Sequence, residues 1–111
     1  MTQGTADVRD PRLAEVLRRL IEAYRPFRIY LFGSQARGDA GPDSDFDLLI
    51  VVPSSAPPEH RRSRLAYTAL RGTGIAADVL VCTREYFDER AHIRPSLPGT
   101  VLREGRLLYA A

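Results

Sequence analysis

Apolar and polar residues alternate along this chain with two different periods, and these periods predict its helices and strands. Between Asp10 and Pro26 apolar residues recur every three or four positions, as on the buried face of a helix. Asp10 suits the N-cap of this helix and Pro11 its first position. Short apolar runs predict strands over 27–32, 45–52, 75–82 and 106–109. Further helices are predicted over 34–37, 59–71 and 98–104, with another after Thr83 as its N-cap.

Proline, glycine and polar residues indicate the connections between these elements. Residues 1–9 are polar and are expected to be flexible, residues 39–44 have the composition of a loop, and the proline-rich residues 53–58 are expected to form a mobile connector. The remaining residues, 10–111, are enough for one domain with a single core. The predicted fold is α/β (α+β), a small mixed sheet flanked by helices.

A glycine turn and a pair of alternating carboxylates lie close together in the first half of the chain. Gly33 and Ser34 follow the first predicted strand, and ten residues later Asp45 and Asp47 open the second. Residues i and i+2 of a strand share a face, so both carboxylates point the same way. Such a pair repels unless a cation lies between them, and Mg²⁺ is the usual one. Gly33 permits close approach of a ligand, and Ser34 offers a hydroxyl and backbone amides suited to phosphate.

Asp78 interrupts the apolar run of the third predicted strand. A charge buried there costs several kcal/mol unless it is paired or metal-bound, so we expect a partner for it. About twenty residues with a helix separate the second and third strands, enough for a right-handed parallel crossover. Parallel strands start at the same edge, which brings Asp78 to Asp45 and Asp47. An antiparallel first strand brings Gly33 and Ser34 there too.

Composition and charge limit the classes of function. The 111 residues carry a net charge of +2, a poor electrostatic footprint for a nucleic-acid-binding protein. All 16 basic residues are arginine, and three of them, Arg61, Arg62 and Arg64, are expected on a solvated helix face or, alternatively, in a binding patch. The single cysteine, Cys82, excludes an intrachain disulfide. No apolar stretch is long enough to span a membrane, which predicts a cytoplasmic protein without a membrane partner.

The glycine turn, the spacing to Asp45 and Asp47, and the segment Ala36-Arg37-Gly38 between them closely resemble the DNA polymerase beta-like nucleotidyltransferase superfamily. Within it, residues 10–109 resemble the minimal nucleotidyltransferases (MNT), small proteins often found as antitoxins beside HEPN toxins. The resemblance implies the palm-like fold of that superfamily. It also implies transfer of a nucleoside monophosphate, AMP from ATP, to a tyrosine hydroxyl of a HEPN toxin.

The resemblance also implies a role for each residue of the site. Asp45, Asp47 and Asp78 would be the catalytic and metal-binding carboxylates, with two Mg²⁺ ions, and Asp78 would help to activate the incoming hydroxyl. Gly33 and Ser34 would hold the β- and γ-phosphates. Arg37 would either contact the triphosphate or form a structural ion pair with Asp43, Asp45 or Asp47.

Several alternatives stay open at the level of sequence. The three aspartates can be read as capping and loop residues, with Asp78 paired to an arginine. The chain can be a catalytically idle antitoxin that acts by binding its toxin, or a transferase that acts on RNA, DNA or a small molecule. Its assembly can be a hetero-oligomer with the toxin or a homodimer.

Overall fold

Five helices, one 3-10 turn and four strands make up the described part of the chain, residues 10–38 and 45–111 of a computed structural model. The helices are α1 (Pro11–Tyr24), α2 (Gly33–Arg37), α3 (Arg64–Ala69), α4 (Arg84–Arg90) and α5 (Leu97–Glu104); the 3-10 turn is Pro58–Arg61; the strands are β1 (Arg28–Phe32), β2 (Phe46–Val52), β3 (Ala77–Thr83) and β4 (Arg106–Ala110). The predicted flexible N-terminus, 1–9, and the predicted loop, 39–44, lie outside the described residues.

The strands form one mixed sheet in the order β3-β2-β1-β4. β2 and β3 are parallel, and β1 is antiparallel to both β2 and β4. This arrangement confirms the mixed sheet, the parallel crossover and the antiparallel first strand expected from the sequence. β3 is therefore an edge strand, whereas β2 has a neighbour on each side.

Apolar side chains bury both faces of β2, because helices cover the sheet on both sides. Phe46, Leu48 and Ile50 face the larger core cluster, which includes the buried stripe of α1. Leu49 and Val51 face the smaller cluster, which lies beneath α4 and α5. The continuous apolar run predicted for a strand covered on two faces is thus confirmed.

Helix α1 begins and ends as its sequence predicts. The Asp10 side chain accepts a hydrogen bond from the Arg12 backbone N–H at 2.9 Å, and Pro11 occupies the first turn. The helix ends before Pro26 at Arg25, which has a φ of 48° and donates its backbone N–H to the Ile21 carbonyl at 2.9 Å. Capping therefore fixes α1 at both ends.

The single helix predicted over 59–71 is wrong. The chain instead forms the 3-10 turn and then α3, with Arg62 in an extended conformation between them. Arg61 explains part of this break, since its guanidinium donates to the carbonyls of Ala56 at 2.9 Å and Ser54 at 3.4 Å. The same bonds and the buried side chain of Ala56 hold the segment that was predicted to be a mobile connector.

Helix α4 is attached to the sheet mainly through Phe87, its one buried residue. The Phe87 ring stacks on Tyr30 of β1 with 5.3 Å between ring centroids and 4° between ring planes. The Thr83 hydroxyl accepts from the Tyr86 N–H at 3.1 Å, which confirms the predicted N-cap. Tyr86 itself is exposed, as is Tyr67 of α3.

Candidate active site

The strand register brings the sequence-predicted residues to one end of the sheet. Phe32, the last residue of β1, pairs with Asp47 on β2, and Asp47 pairs with Asp78 on β3. Gly33 follows Phe32 directly, so the glycine turn, Asp47 and Asp78 lie side by side across three neighbouring strands. Asp45 precedes β2 by one residue and is exposed at the same end.

Gly33 lies directly against the carboxylate of Asp47. Its φ is +74°, a value that side chains other than glycine's rarely allow. A Cβ atom built at this position would collide with Oδ2 of Asp47. The turn thus needs glycine for two reasons, its backbone conformation and the space taken by the carboxylate.

Asp47 is the electrostatic centre of the group. Its partial burial, and then the charges of Asp78 and Asp45, raise the pKa of Asp47 above the ordinary value of 3.8. The positive charge of Arg37 acts in the opposite direction. Negative charge from the three carboxylates exceeds the positive charge of Arg37, and this excess favours the binding of a cation.

Ser34 and Arg37 lie at the two ends of the short helix α2. Ser34 is half-buried in its first turn, and its carbonyl accepts from the Gly38 N–H at 3.0 Å. Arg37 is in the last turn and is exposed, close enough to affect the titration of Asp47. Asp43, one of the partners considered for Arg37, lies outside the described residues.

Asp78 is exposed, so the expectation of a buried charge that needs compensation is wrong. The physical reason is its position on an edge strand. Residues of β3 that alternate with Asp78, such as Val79, face the larger core cluster, whereas Asp78 and Leu80 lie on the opposite face. Solvent therefore reaches Asp78 at the end of the sheet, where a substrate could also reach it.

The donor atoms of this site suit a hard divalent cation. They are carboxylate oxygens, and Mg²⁺ is commonly held by one or two carboxylates together with waters and substrate phosphates. Within residues 10–38 and 45–111, no three His, Cys, Asp or Glu side chains are already close enough to form a metal cage. The residues thus fit an open site that substrate would complete, rather than a closed one.

Comparison with known proteins identifies the family. The sequence pattern of the nucleotidyltransferase domain matches residues 12–108. The chain belongs to this nucleotidyltransferase family. Membership confirms the resemblance seen in the sequence and gives the enzyme class, nucleotidyltransferase.

A curated relative and several solved structures are similar to the chain. "Putative protein adenylyltransferase MJ0604" of Methanocaldococcus jannaschii is 37% identical over 82 residues, which cover 74% of this chain and 77% of that protein. A structure described as a "putative nucleotidyltransferase" from Sulfolobus solfataricus has a TM-score of 0.56 at 21% identity, covering 86% of this chain and 75% of its own.

Two further structures come from toxin-antitoxin pairs. One contains AMP-PNP (TM-score 0.54) and one is a mutant of MntA-HpeT (TM-score 0.55). Each is 19% identical to this chain and covers 94% of it and 75% of its own length. At this identity the likeness shows the fold alone, and it agrees with the nucleotidyltransferase fold expected from the sequence.

Sequence reasoning missed an apolar row that follows the carboxylates on the same face of the sheet. Leu49 and Leu80, each two residues beyond Asp47 and Asp78, pair with each other across β2 and β3. Leu80 is 45% exposed, unusual for a leucine inside a strand. The i and i+2 spacing places Leu80 on the same face as Asp78, but the exposure of Leu80 depends on β3 being an edge strand.

Two further findings concern the single cysteine and the lengths of the helices. Cys82 of β3 is partly buried, and burial raises the pKa of its thiol to about 11, so it stays protonated near neutral pH. No helix in the described part of the chain has the length and apolarity needed to cross a bilayer.

Proposed function

We propose that this nucleotidyltransferase transfers a nucleoside monophosphate, AMP from ATP, to a hydroxyl group on a protein. The alignment of Gly33, Asp47 and Asp78 across three neighbouring strands is the observation that supports it most strongly. The name of the M. jannaschii relative, a protein adenylyltransferase, supports the choice of nucleotide and of a protein acceptor.

The reaction exchanges the phosphoanhydride bond of ATP for a phosphodiester bond to the acceptor. The acceptor oxygen forms a bond to the α-phosphorus, and the bond from that phosphorus to the oxygen bridging to the β-phosphate breaks. The products are the nucleotidylated acceptor and pyrophosphate, while the acceptor's proton passes to a base. Asp78, exposed near the start of β3, would take this proton.

The remaining residues would bind and orient the nucleotide. The Gly33 turn and the Ser34 hydroxyl would hold the β- and γ-phosphates, and Arg37 would contact the triphosphate or balance the charge of Asp47. Asp45, Asp47 and Asp78 would hold Mg²⁺, two ions by the family resemblance. When bound, the metal would supply positive charge to the attacking and leaving oxygens.

The proposed acceptor is a tyrosine of a cognate toxin, which makes this chain an antitoxin. The fold shared with proteins from two toxin-antitoxin structures supports this assignment. The resemblance to MNT proteins supports a toxin of the HEPN type. Modification of the toxin would then silence it.

A second candidate is an antitoxin that acts by binding alone. The toxin-antitoxin origin of two structural neighbours supports it as well, because an antitoxin can also silence its toxin by covering it. In this case the aspartates would be dispensable, and a triple Asp45→Asn, Asp47→Asn, Asp78→Asn variant would neutralise the toxin as well as wild type does.

Labelled ATP distinguishes the two candidates. A lysate of the source cell is incubated with Mg²⁺ and either α-labelled or γ-labelled ATP, using wild type, Asp47→Asn and, as control, Glu59→Gln on the exposed 3-10 turn. We expect α-label, but not γ-label, on one protein with wild type and Glu59→Gln, and at least a hundredfold less with Asp47→Asn. Equal labelling by Asp47→Asn would reject the proposed mechanism.

A further inference from the structure

An apolar groove of about 370 Å³ lies along the edge strand β3. Its floor includes Leu49 and Leu80, the pair that follows Asp47 and Asp78 in the strand register. Tyr86 of α4, Leu97 of α5 and Arg61 also line the groove. The apolar pair lies two steps along the strands from the carboxylates, a rise of about 6.6 Å.

The order of the strands indicates from which side the acceptor approaches the α-phosphorus. Neighbouring strands lie about 4.8 Å apart, and β1, β2 and β3 present the Gly33 turn, Asp47 and Asp78 in that order. In phosphoryl transfer the attacking and leaving oxygens lie roughly in line through the phosphorus. If pyrophosphate leaves on the side of Gly33, the acceptor oxygen attacks from the side of Asp78.

The groove lies on the β3 side of the site, and its lining residue Leu80 is one i to i+2 step from Asp78. Leu80 shares a face with Asp78, and Tyr86 is 43% exposed beside it, so an aromatic side chain could pack between them. The rise of one i to i+2 step in a strand is close to the reach of a tyrosine side chain from its Cβ to its hydroxyl. A tyrosine ring in the groove would therefore direct its hydroxyl toward Asp78.

We propose that this groove is the acceptor site and that it binds a protein segment through a tyrosine side chain. The inference rests on the proposed function, because it takes the position of the leaving group from the assignment of Gly33 and Ser34 to the phosphates. It adds the residues that select the acceptor: Leu80, Tyr86 and Leu97. The nucleobase would lie elsewhere.

N-acetyltyrosinamide is a suitable acceptor probe, and Leu80→Arg is the test variant. Leu102→Arg is the matched control, since Leu102 is 50% exposed on α5 and does not line the groove. Circular dichroism first establishes that both variants are folded. Transfer of α-label to the probe is then measured against probe concentration, and binding of ATP with Mg²⁺ is measured separately by equilibrium dialysis.

We expect Leu80→Arg to raise the KM for N-acetyltyrosinamide at least tenfold, with the Kd for ATP changed less than twofold. Leu102→Arg should match wild type in both, and N-acetylphenylalaninamide should inhibit wild type by competing with the probe. Weaker ATP binding by Leu80→Arg would place the nucleoside in the groove and overturn the inference.

Two other results separate this inference from the proposed function. Labelling of a lysate protein by wild type, without labelling of N-acetyltyrosinamide, would overturn the tyrosine acceptor site and leave the transferase intact. Absence of α-label transfer to any acceptor, with ATP still bound, would remove the proposed function and the inference together.

Discussion

Gly33 combines a positive φ with close contact to a carboxylate, and this gives the Gly33→Ala variant a specific expected defect. The left-handed conformation costs a residue with a Cβ about 1–2 kcal/mol, and the new methyl group must also displace Oδ2 of Asp47. We expect lower stability together with a loss of Mg²⁺-dependent ATP binding. Urea unfolding and equilibrium dialysis measure the two effects.

Gly38 provides the control for this prediction. Its φ is +83°, but a Cβ there would meet no atom within 4 Å. Gly38→Ala should therefore lose a similar 1–2 kcal/mol of stability and keep its affinity for ATP. Equal ATP affinities for the two variants would show that the contact between Gly33 and Asp47 is not needed for binding.

We expect the charge of Asp47, which the proposed site needs, to lower the stability of the folded protein. Because its pKa is raised in the folded protein, folding favours its neutral form, and its charge destabilises the fold near neutral pH. Asp47→Asn should accordingly raise the melting temperature at pH 7, whereas Glu59→Gln should leave it nearly unchanged. A lower melting temperature for Asp47→Asn would contradict the electrostatic description of the site.

At the scale of elements, Glu15 links α1 to the end of α3. Its carboxylate binds Arg18 at 2.6 Å and Arg19 at 2.8 Å, and Arg19 also donates to the Ala69 carbonyl at 3.1 Å. The hydrogen bonds from Arg18 and then Arg19 lower the pKa of Glu15 from 4.5 to about 2. A depressed carboxyl pKa contributes stability at higher pH.

This contribution should be complete above pH 4.5 and should be lost as the pH falls toward 2. Glu15→Gln should therefore show a flatter fall in unfolding free energy across that range, measured by urea titration at several pH values. Glu22→Gln, a change on the same helix, is the control. Identical pH profiles for wild type and Glu15→Gln would rule out the role given to these ion pairs.

Elements with strong local signals were predicted well from the sequence. In α1 the apolar period, the Asp10 cap and Pro11 all agree, and β2 has an uninterrupted apolar run. The segment 59–71 was predicted as one helix because its apolar residues and its arginines suit opposite faces of a helix. Part of the break comes from the Arg61 side chain, which donates hydrogen bonds to the carbonyls of Ala56 and Ser54, contacts that the helical pattern of the segment does not contain.

At the scale of the whole molecule, the sequence predicted which site residues lie together but not how exposed to solvent they are. The i and i+2 spacing of Asp45 and Asp47 and the crossover to Asp78 predicted one shared edge, and the register of β2 and β3 confirms it. The exposure of Asp78 and Leu80 follows from the position of β3 at the edge of the sheet. Strand order is set by packing of the complete chain, and no local pattern indicated it.

Asp45, Asp47 and Asp78, at the start of two neighbouring strands, are proposed to act as one catalytic site. Label transfer from α-labelled ATP, measured as kcat/KM for Asp45→Asn, Asp78→Asn and the double variant, tests it most directly. Groups that act as a unit give strongly non-additive losses. We predict a loss of at least a hundredfold for each single variant and little further loss for the double variant. A wild-type kcat/KM for Asp78→Asn, or losses that multiply in the double variant, would contradict the account.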